Sequence, residues 1–409
     1  MASSLAKNLF PGGGLASHLY LNEKNITTQL EFMVIQFQYY ITMKLERVNK
    51  ALDKVMPLRL HRKLVSIALT YTSMLMHVLS FLLNLALMFI FAESWSSKLE
   101  PKKISTELES NGSRAFKLED YMKCKAEKVN KALVELLPQK GSSEKICESM
   151  AYSLLSGGKR IRPILCIAAC EFVGGKDSAA MPLACAMEII HTSSLIIDDL
   201  PCMDDDDLRR GNPSSHKKYG EGVAILTSTA LTCLAFEHVV SKTENVSQYR
   251  MVQAISELVS AVGLDGLVSG QFMDLDCEGK EVALEKLKNI HVLKTGRLLE
   301  AAVVCGAIIG GARGDEVERL RKYAYCIGLL FQVVDDILDE TQSAEKLGKT
   351  AGKDLASDKA TFPKLLGLDG AKKYAKELVD QAVKELGHFD SARAAPLYHL
   401  AHFILNRPW

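Results

Sequence analysis

The sequence lacks the cysteine spacing of a zinc site or of a disulfide framework. Its ten cysteines are scattered between Cys124 and Cys326, and none forms a CxxC pair with a second, matching pair. Structural zinc sites need closely spaced ligands, and disulfides are rare in reducing compartments. We therefore expect the cysteines to pack as small apolar residues, without disulfides or bound zinc.

The chain also lacks an excess of charge of either sign. It contains 50 Lys and Arg against 49 Asp and Glu, a formal net charge of +1. Nothing in this balance predicts binding to nucleic acid. Hydrophobic residues make up 48% and charged residues 24% of the 409 residues, which is the composition of a globular protein.

Alternating strand patterns are almost absent from residue 117 onward. Apolar residues recur there with helical spacing in nine segments, separated by Gly, Pro or charged breaks: 117–137, 144–156, 163–173, 180–199, 223–241, 248–268, 283–310, 315–340 and 370–386. The pattern predicts an all-α protein built as a single large helical bundle. Such bundles hold metals and ligands between facing helices in the core.

Aspartate is concentrated in two clusters. Six carboxylates lie within the ten residues 198–207, and a later apolar segment carries Asp335, Asp336 and Asp339. Carboxylates this close repel one another unless cations lie between them. Asp335 and Asp339 would share one helix face, because residues four apart are neighbours. The clusters predict a metal site; a solvated acidic loop is the alternative.

The first cluster has further features of a diphosphate site. Pro201 would interrupt the helix and let Asp204 return towards Asp198. Arg209 and Arg210 follow, with planar guanidinium groups that suit diphosphate oxygens. Because Mg²⁺ takes few carboxylates and completes its shell with phosphate and water, the pattern predicts Mg²⁺ between aspartates and a substrate diphosphate.

Ordered motifs extend over residues 116–409: SLLSGGKRIRP, DDLPCMD followed by DDLRRG, HKKYGE, KTG, GLLFQVVDDILD and LGKTAGKD. Together they resemble the trans-isoprenyl diphosphate synthases, in the plant geranylgeranyl and geranylfarnesyl diphosphate synthase branch. The resemblance implies a prenyltransferase that condenses isopentenyl diphosphate with dimethylallyl, geranyl or farnesyl diphosphate by Mg²⁺-dependent ionisation. The expected product has 20 or 25 carbons.

The resemblance also implies roles for individual residues. Mg²⁺, as three ions with substrate bound, would be held by Asp198, Asp199, Asp204, Asp335, Asp336 and Asp339. Isopentenyl diphosphate would be bound by Lys159, Arg162, His191 and Arg210. The allylic diphosphate would be bound by Arg209, Lys294, Thr295, Gln332, Lys349 and Lys359. The alternatives are a core histidine at position 191 and solvated surface lysines at positions 349 and 359.

Product length is set, by the same resemblance, on the helix that precedes Asp198. Farnesyl-length relatives carry bulky aromatic residues where this chain has Ser193 and Ser194. Two serines would leave the tunnel open, with Met187 or Ile190 deeper on the helix as its floor. We therefore expect a product of at least 20 carbons.

Several positions depart from the family pattern. Thr229 stands in the segment 228–232 where relatives have the aspartate of Gly-Asp-Ala-Leu-Leu, and Arg297 follows KTG where a small or apolar residue is usual. Ile197 replaces a histidine, and Asp205 an asparagine. These changes motivate an alternative function: a weakly active or inactive subunit that partners an active homologous synthase. A terpene cyclase is not expected, because no later (N/D)DxxSxxxE metal triad follows.

Partners follow from the resemblance as well. Family members are usually homodimers. Cys166 and Cys170 form a CxxxC motif that the plant family associates with docking of a homologous small subunit. Plain core packing of two cysteines on one helix face is the alternative.

The first 114 residues precede the matching region. Residues 1–22 contain no acidic residue, which is compatible with a transit peptide for a plastid or mitochondrion, or with a disordered tail. Residues 44–57 match 125–138 at eight of fourteen positions and predict a partial duplicate of the first catalytic helix. Residues 64–92 carry no formal charge and are long enough to span a bilayer, so a membrane anchor is one interpretation and an appendage the other.

The predicted division of the chain follows. A transit peptide or disordered tail occupies 1–43, and the duplicate 44–63. The apolar, transmembrane-length segment covers 64–92, a linker 93–114, and the prenyl diphosphate synthase domain 115–409. Plastid localisation is favoured, with the mitochondrion or association with the endoplasmic reticulum membrane as alternatives.

Overall fold

Helices make up nearly all the regular structure in the residues that the computed structural model describes, which are 116–138, 143–342, 359–387, 389 and 391–407. The helices are α1 (Leu118–Leu136), α2 (Glu144–Leu154), α3 (Ile161–Phe172), α4 (Asp177–Asp198), α5 (Ser215–Tyr219), α6 (Glu221–Lys242), α7 (Gln248–Val262), α8 (Leu267–Asp276), α9 (Leu284–His291), α10 (Arg297–Gly310), α11 (Gly314–Thr341), α12 (Phe362–Leu366), α13 (Leu368–Leu386) and α14 (Ser391–Asn406). The prediction of an all-α bundle is confirmed. The segments 1–43, 44–63, 64–92 and 93–114, and Lys349, lie outside the described residues.

The segment 248–268, predicted as one helix, contains all of one helix and the start of the next. Helix α7 ends at Val262, and α8 begins at Leu267 after a turn that contains Gly263 and Gly266. A Cβ atom at Gly266 would lie 2.0 Å from the carbonyl oxygen of Ala261, so only glycine fits this turn. This turn changes the direction of the chain, so the polar residues of α8 face a different direction from those of α7.

Two helices form the centre of the bundle. Helix α4 is buried over most of its length and packs against α3 and α6. Helix α10 is buried from Leu298 to Ile309 and packs against α3, α7 and α11. Because both helices are apolar all round, they can be stable only with neighbours on every side. This places the last turn of α4, which carries the first aspartates, inside the bundle.

Cys166 and Cys170 lie in the contact between α3 and α10. Both side chains are fully buried. A Cβ atom at Gly306 would lie 2.0 Å from the carbonyl oxygen of Cys166, and one at Gly310 would lie 2.7 Å from that of Cys170. The two helices are therefore in backbone contact along the CxxxC face. The two cysteines thus pack in the core, as the alternative interpretation expected, and docking of a homologous small subunit stays a prediction.

A short hairpin follows the first aspartate cluster. Strands β1 (Leu208–Arg209) and β2 (Asn212–Pro213) pair antiparallel, with Arg209 opposite Asn212. The turn residues Arg210 and Gly211 have φ values of 53° and 77°, the left-handed backbone of a two-residue hairpin loop. This geometry sends the side chains of Arg209 and Arg210 to different partners.

Three described helical segments are long and apolar enough to cross a membrane by length and composition: Asp177–Asp198, Glu221–Lys242 and Gln248–Asp276. Burial in the bundle explains the apolar character of Asp177–Asp198, since 72% of its most apolar 18-residue stretch is buried. The corresponding stretches of Glu221–Lys242 and Gln248–Asp276 are only 33% and 22% buried. The second and third expose large apolar side chains: Ile225, Leu226, Val240, Tyr249, Val252, Val259, Leu264, Val268 and Phe272. Exposed apolar side chains grouped on these two segments indicate a surface that a partner could cover.

Candidate active site

A π-helical turn, Val292–Gly296, separates α9 from α10 and carries Lys294 and Thr295. Turns of this kind recur at functional sites because they offset the side chains of an otherwise regular helix. Helix α8 packs directly on this turn: a Cβ atom at Gly270 would lie 2.1 Å from the backbone nitrogen of Lys294. The close approach brings the polar face of α8 beside the Lys294 side chain.

Lys294 lies among three carboxylates. Its Nζ atom is 2.7 Å from Oδ2 of Asp274 on α8, 3.3 Å from Oδ1 of Asp198 and 3.6 Å from Oδ2 of Asp204. Lys359 completes the group, with Nζ 3.2 Å from Oδ1 of Asp204 and 3.3 Å from Oδ2 of Asp274. The predicted return of Asp204 towards Asp198 is seen directly, since the backbone nitrogen of Asp204 donates to the carbonyl oxygen of Asp198 at 2.9 Å.

The charges of this cluster are strongly coupled. Burial raises the pKa of Asp198, against the opposing effect of Lys294. Burial would also raise the pKa of Asp204 and Asp274, but Lys294 and Lys359 lower both pKa values overall. Oδ1 of Asp198 is buried without a hydrogen-bond partner. Three carboxylates against two lysines leave a net negative site of hard oxygen donors, a set that fits Mg²⁺.

Asp199 points away from this cluster. It is 2% exposed, and its carboxylate accepts a hydrogen bond from Nε of Arg209 at 2.9 Å as well as one from Nη2. Nη2 of Arg209 also lies 3.2 Å from Oδ2 of Asp206. Burial raises the pKa of Asp199 to about 6, with Arg209 opposing the rise. Asp199 thus fixes Arg209 in place.

The carboxylates of the second aspartate cluster also have different partners from one another. Asp335 pairs with Arg407, which also donates to the carbonyl oxygen of Phe331 at 2.9 Å. Asp336 is buried and accepts from the backbone nitrogen of Phe362 at 2.9 Å, so it anchors the start of α12. Asp339 lies half-buried one turn after Asp335. Only Asp335 and Asp339 of this cluster share the predicted face.

Gln332 and His291 connect this cluster to the π-helical turn. Nε2 of Gln332 lies 3.3 Å from Nδ1 of His291. Nε2 of His291 is 3.7 Å from Oδ2 of Asp336. Burial lowers the pKa of His291 to about 4, so the ring is neutral at physiological pH. The predicted residue Gln332 therefore contacts His291, at the end of α9 just before the π-helical turn.

The GGKR segment brings cations to the other side of the site. Arg162 is buried at the start of α3, and its Nε atom has no hydrogen-bond partner. Burial lowers the pKa of Arg162 to about 10 and that of Lys159 to about 8, with Asp335 opposing both shifts. Burial, then Arg162 and Arg210, lower the pKa of His191 well below its ordinary value. Neighbouring cations and an unpaired buried guanidinium nitrogen are what an anion site provides.

A cavity of about 240 Å³ begins at these groups and runs into the bundle. Seven predicted residues line it: Arg162, His191, Ser193, Ser194, Asp198, Lys294 and Thr295. Its other lining residues are mainly apolar and include Ile190, Val262 and Leu267. Charged groups and a largely apolar wall in one cavity suit a substrate with a charged head and a hydrocarbon tail. Ile190 lines this wall, whereas Met187 does not.

Some of the residues that depart from the family pattern line the cavity, and others do not. Ser228 and Thr232 line it and lie opposite Ser193, whose Oγ is 2.8 Å from each of their hydroxyl oxygens. Thr229 is exposed and donates to the carbonyl oxygen of Ile225 at 3.0 Å. Thr229 is therefore not among the residues that line the cavity, and the effect of its missing carboxylate on activity stays a prediction.

Arg297 is likewise directed away from the cavity. Its Nη1 atom pairs with Glu300 at 2.5 Å, and its Nε donates to the carbonyl oxygen of Asp265 at 3.2 Å. Ile197, by contrast, lines the cavity where relatives have histidine. Neither Thr229 nor Arg297 lines the cavity, which weakens the case for a weakly active subunit, whereas Ile197 departs from the family pattern within the cavity.

Sequence reasoning missed Gln271, Asp274, Glu188 and Arg407. Gln271 lines the cavity and Asp274 pairs with both lysines. A signal for this pair is present, since Gln271 and Asp274 are three residues apart after Gly270 and so share a helix face. Glu188 is a buried acid in an apolar helix, which is rare unless it is paired. No local signal marks Arg407.

The sequence model of the polyprenyl synthetase family matches residues 143–396. This range contains the GGKR segment, both aspartate clusters, the π-helical turn and the cavity. The chain belongs to the polyprenyl synthetase family. It is a prenyltransferase, an isoprenyl diphosphate synthase, as the motifs predicted.

Relatives and solved structures agree with this assignment. The chain is 58% identical over 301 residues to the heterodimeric geranylgeranyl pyrophosphate synthase large subunit 2 of Arabidopsis thaliana, covering 73% of this chain and 79% of the relative. It is 54% identical over 298 residues to the chloroplastic geranylgeranyl pyrophosphate synthase of Catharanthus roseus, covering 73% and 83%. An FPP/GFPP synthase from Zymomonas mobilis superposes with a TM-score of 0.63 at 37% identity, covering 70% and 98%.

A geranyltransferase from Helicobacter pylori, solved in complex with magnesium and isoprenyl diphosphate, superposes with a TM-score of 0.62. It is 32% identical and covers 72% of this chain and 97% of its own. These similarities confirm the fold of this polyprenyl synthetase.

Proposed function

We propose that this polyprenyl synthetase condenses isopentenyl diphosphate with dimethylallyl, geranyl and farnesyl diphosphates and releases geranylgeranyl diphosphate. The observation that carries the proposal is the joining of the Asp198, Asp204 and Lys294 cluster to one apolar cavity. The charged end suits an allylic diphosphate, and the cavity suits the growing chain. The names of the plant relatives support 20 carbons over 25.

Mg²⁺ would be held by Asp198 and Asp204, which lie beside Lys294 and Lys359, and by Asp335 and Asp339, which share one face of α11. When bound, it would neutralise charge that develops on the leaving diphosphate. Asp199 and Asp336 take a supporting role in this proposal, since Arg209 and the backbone of Phe362 already occupy their carboxylates. Three ions with substrate bound remains our expectation, supported by the number of carboxylates.

The other groups divide between two diphosphates. Arg209, Lys294, Thr295, Gln332 and Lys359, with Lys349 from the sequence alone, would hold the allylic diphosphate and stabilise its departure. Lys159, Arg162, His191 and Arg210 would hold the isopentenyl diphosphate. His191, kept neutral by burial and by its arginine neighbours, can donate one hydrogen bond to a phosphate oxygen without adding charge.

The apolar wall has a chemical role as well. Ionisation of the allylic substrate leaves a carbocation that water would trap as an alcohol. Ile190, Val262 and Leu267 exclude water from the cavity beyond the charged end. The isopentenyl double bond then attacks the cation, and the departing pyrophosphate accepts the proton that is lost.

We infer further that the chain forms a homodimer through the exposed apolar side chains of α6, α7 and α8. A second copy is the partner that the family resemblance favours. Association with a homologous subunit is supported by the relatives named heterodimeric large subunits. The hypothesis of an inactive subunit has less support, because Thr229 and Arg297 do not line the cavity.

Localisation in the plastid is supported by relatives named chloroplastic, although one relative is named mitochondrial. Membrane contact through 64–92 stays a prediction of the sequence. Fractionation of the full chain against a variant lacking 64–92 tests it: an anchor predicts loss of the membrane-bound fraction, and an appendage predicts no change.

The decisive experiment incubates the purified full chain with labelled isopentenyl diphosphate, Mg²⁺ and each allylic primer of 5, 10 and 15 carbons. We expect a 20-carbon diphosphate from every primer and no product after chelation of Mg²⁺. A 25-carbon product would retain the enzyme class and correct the length. Folded protein that makes no product with any primer would overturn the proposal.

A further inference from the structure

Two arginines in strained backbone conformations converge on one buried carboxylate. Among the described residues, four non-glycine residues have positive φ, and two of them are Arg160 and Arg210, each at 53°. Both direct their guanidinium groups at Glu188 on α4, which is 2% exposed. A non-glycine residue in this conformation persists only where its surroundings hold it there.

The contacts of Arg160 are complete. Its Nη1 pairs with Glu188, its Nε donates to Oδ1 of Asn130 at 2.8 Å, and its Nη2 donates to the carbonyl oxygen of Leu154 at 3.0 Å. Arg160 is 3% exposed and immediately follows Lys159. It is therefore a fixed support of the GGKR segment and has no free face for substrate.

Arg210 reaches the same carboxylate from the hairpin. Its Nη2 lies 3.5 Å from Oε1 of Glu188, and its Nη1 donates to the carbonyl oxygen of Gly157. A Cβ atom at Gly158 would lie 2.9 Å from Cζ of Arg210, so the glycine leaves room for the guanidinium group. The hairpin and the GGKR segment, far apart in sequence, are joined at this point.

Resting on the proposed function, we propose that Glu188 is a positioning residue for the isopentenyl diphosphate site. It holds Arg160 and Arg210 in place, so that the GGKR segment and the hairpin present their cations to one diphosphate. Its negative charge also offsets repulsion among Arg160, Arg162 and Arg210. Without it these cations would separate, and the diphosphate would bind to a disordered set of groups.

The test compares Glu188→Gln with wild-type full-length protein in steady-state kinetics, varying isopentenyl diphosphate at saturating farnesyl diphosphate and then the reverse. We expect the KM for isopentenyl diphosphate to rise at least tenfold, while the KM for farnesyl diphosphate changes less than twofold. Glu188→Asp, which keeps the charge on a shorter side chain, should recover part of the loss. Wild-type protein without activity would instead disprove the proposed function.

The matched control is Glu300→Gln. Glu300 is also buried and also pairs with two arginines, Arg297 and Arg321, but it lies outside the cavity lining. A purely structural role predicts that both variants lower the melting temperature and leave the KM for isopentenyl diphosphate unchanged. Equal rises in both KM values, or none, would overturn the inference.

A double-mutant comparison gives a second readout, which also serves if Glu188→Gln folds poorly. Arg210→Lys should raise the KM for isopentenyl diphosphate on its own. If Glu188 acts through Arg210, adding Glu188→Asp to Arg210→Lys should change this KM less than twofold further. Full additivity of the two effects would show that Glu188 does not work through Arg210.

Discussion

At the scale of single residues, hydroxyl groups shape the cavity beside the aspartates. Ser193 lies opposite Ser228 and Thr232, so three small polar side chains line a part of the cavity that bulkier side chains would block. Ser194 instead donates to the carbonyl oxygen of His191, one turn earlier in its own helix, at 2.9 Å. Ser193 is therefore the position at which a larger side chain should have the greater effect.

Ser193→Phe should shorten the product to 15 carbons or fewer. The aromatic ring would project between α4 and α6 and block the cavity, at a cost to folding of about 1–3 kcal/mol. Chromatography of the dephosphorylated product measures the change. Ser193→Ala, which removes the hydroxyl without adding bulk, and the surface change Thr229→Asp should both keep the wild-type length. Unchanged length in Ser193→Phe would show that the wall lies elsewhere.

Lys159 should give the activity a pH limit. Burial and the nearby Arg407 lower its pKa to about 8, so its cation is present below pH 8 and is lost as the pH rises through that value. The kcat/KM for isopentenyl diphosphate reports groups of the free enzyme and should fall above pH 8. Lys159→Arg, which stays charged, should remove this decline. A decline of the same size in the arginine variant would assign it to another group.

At the scale of elements, the π-helical turn and α8 act as one unit. Gly270 lets α8 touch the backbone of Lys294. Gly328 on α11 touches Gly296 in the same way, because a Cβ atom at Gly328 would lie 2.7 Å from the Cα atom of Gly296. Lys294 is thus set between α8 and α11 by backbone contact on both sides. The position of its side chain among three carboxylates follows from this packing.

Gly270→Ala should separate α8 from the π-helical turn. The added methyl group would lie 2.1 Å from the backbone nitrogen of Lys294, so one element must shift. We expect a loss of about 1–3 kcal/mol in the free energy of unfolding and at least tenfold lower kcat, because Asp274 and Lys294 move apart. Chemical denaturation and product assays measure both. Gly222→Ala on α6, with open space around it, is the control and should leave both unchanged.

At the scale of the whole molecule, some apolar surfaces are buried inside the bundle and others are exposed to solvent. Helices α4 and α10 bury theirs in the bundle. Helices α7 and α8 and the turn between them leave Tyr249, Leu264 and Phe272 at least 69% exposed. Apolar surface on this scale is unfavourable in water and favours burial against a partner.

Phe272→Glu should weaken the proposed homodimer. A charge in the middle of an apolar contact loses its hydration, so the variant should sediment as a monomer at concentrations where the wild type is a dimer. Val134→Glu is the control, since Val134 is 49% exposed on α1, which packs against α3, α4 and α14. A wild-type chain that sediments as a monomer, or a Phe272→Glu variant that remains a dimer, would contradict this interface.

The sequence by itself determined the family, the all-α bundle and about half of the residues that line the cavity. These depend on helical periodicity and on motifs whose residues are neighbours in the chain, such as the aspartates at 198 and 204 or at 335 and 339. Only the tertiary structure decided which aspartates face the lysines, that Cys166 and Cys170 are buried, and that Ser228 and Thr232 lie opposite Ser193. It also revealed Asp274, Arg407 and Glu188. Their contacts join helices and loops far apart in sequence, and such contacts are fixed by how elements pack.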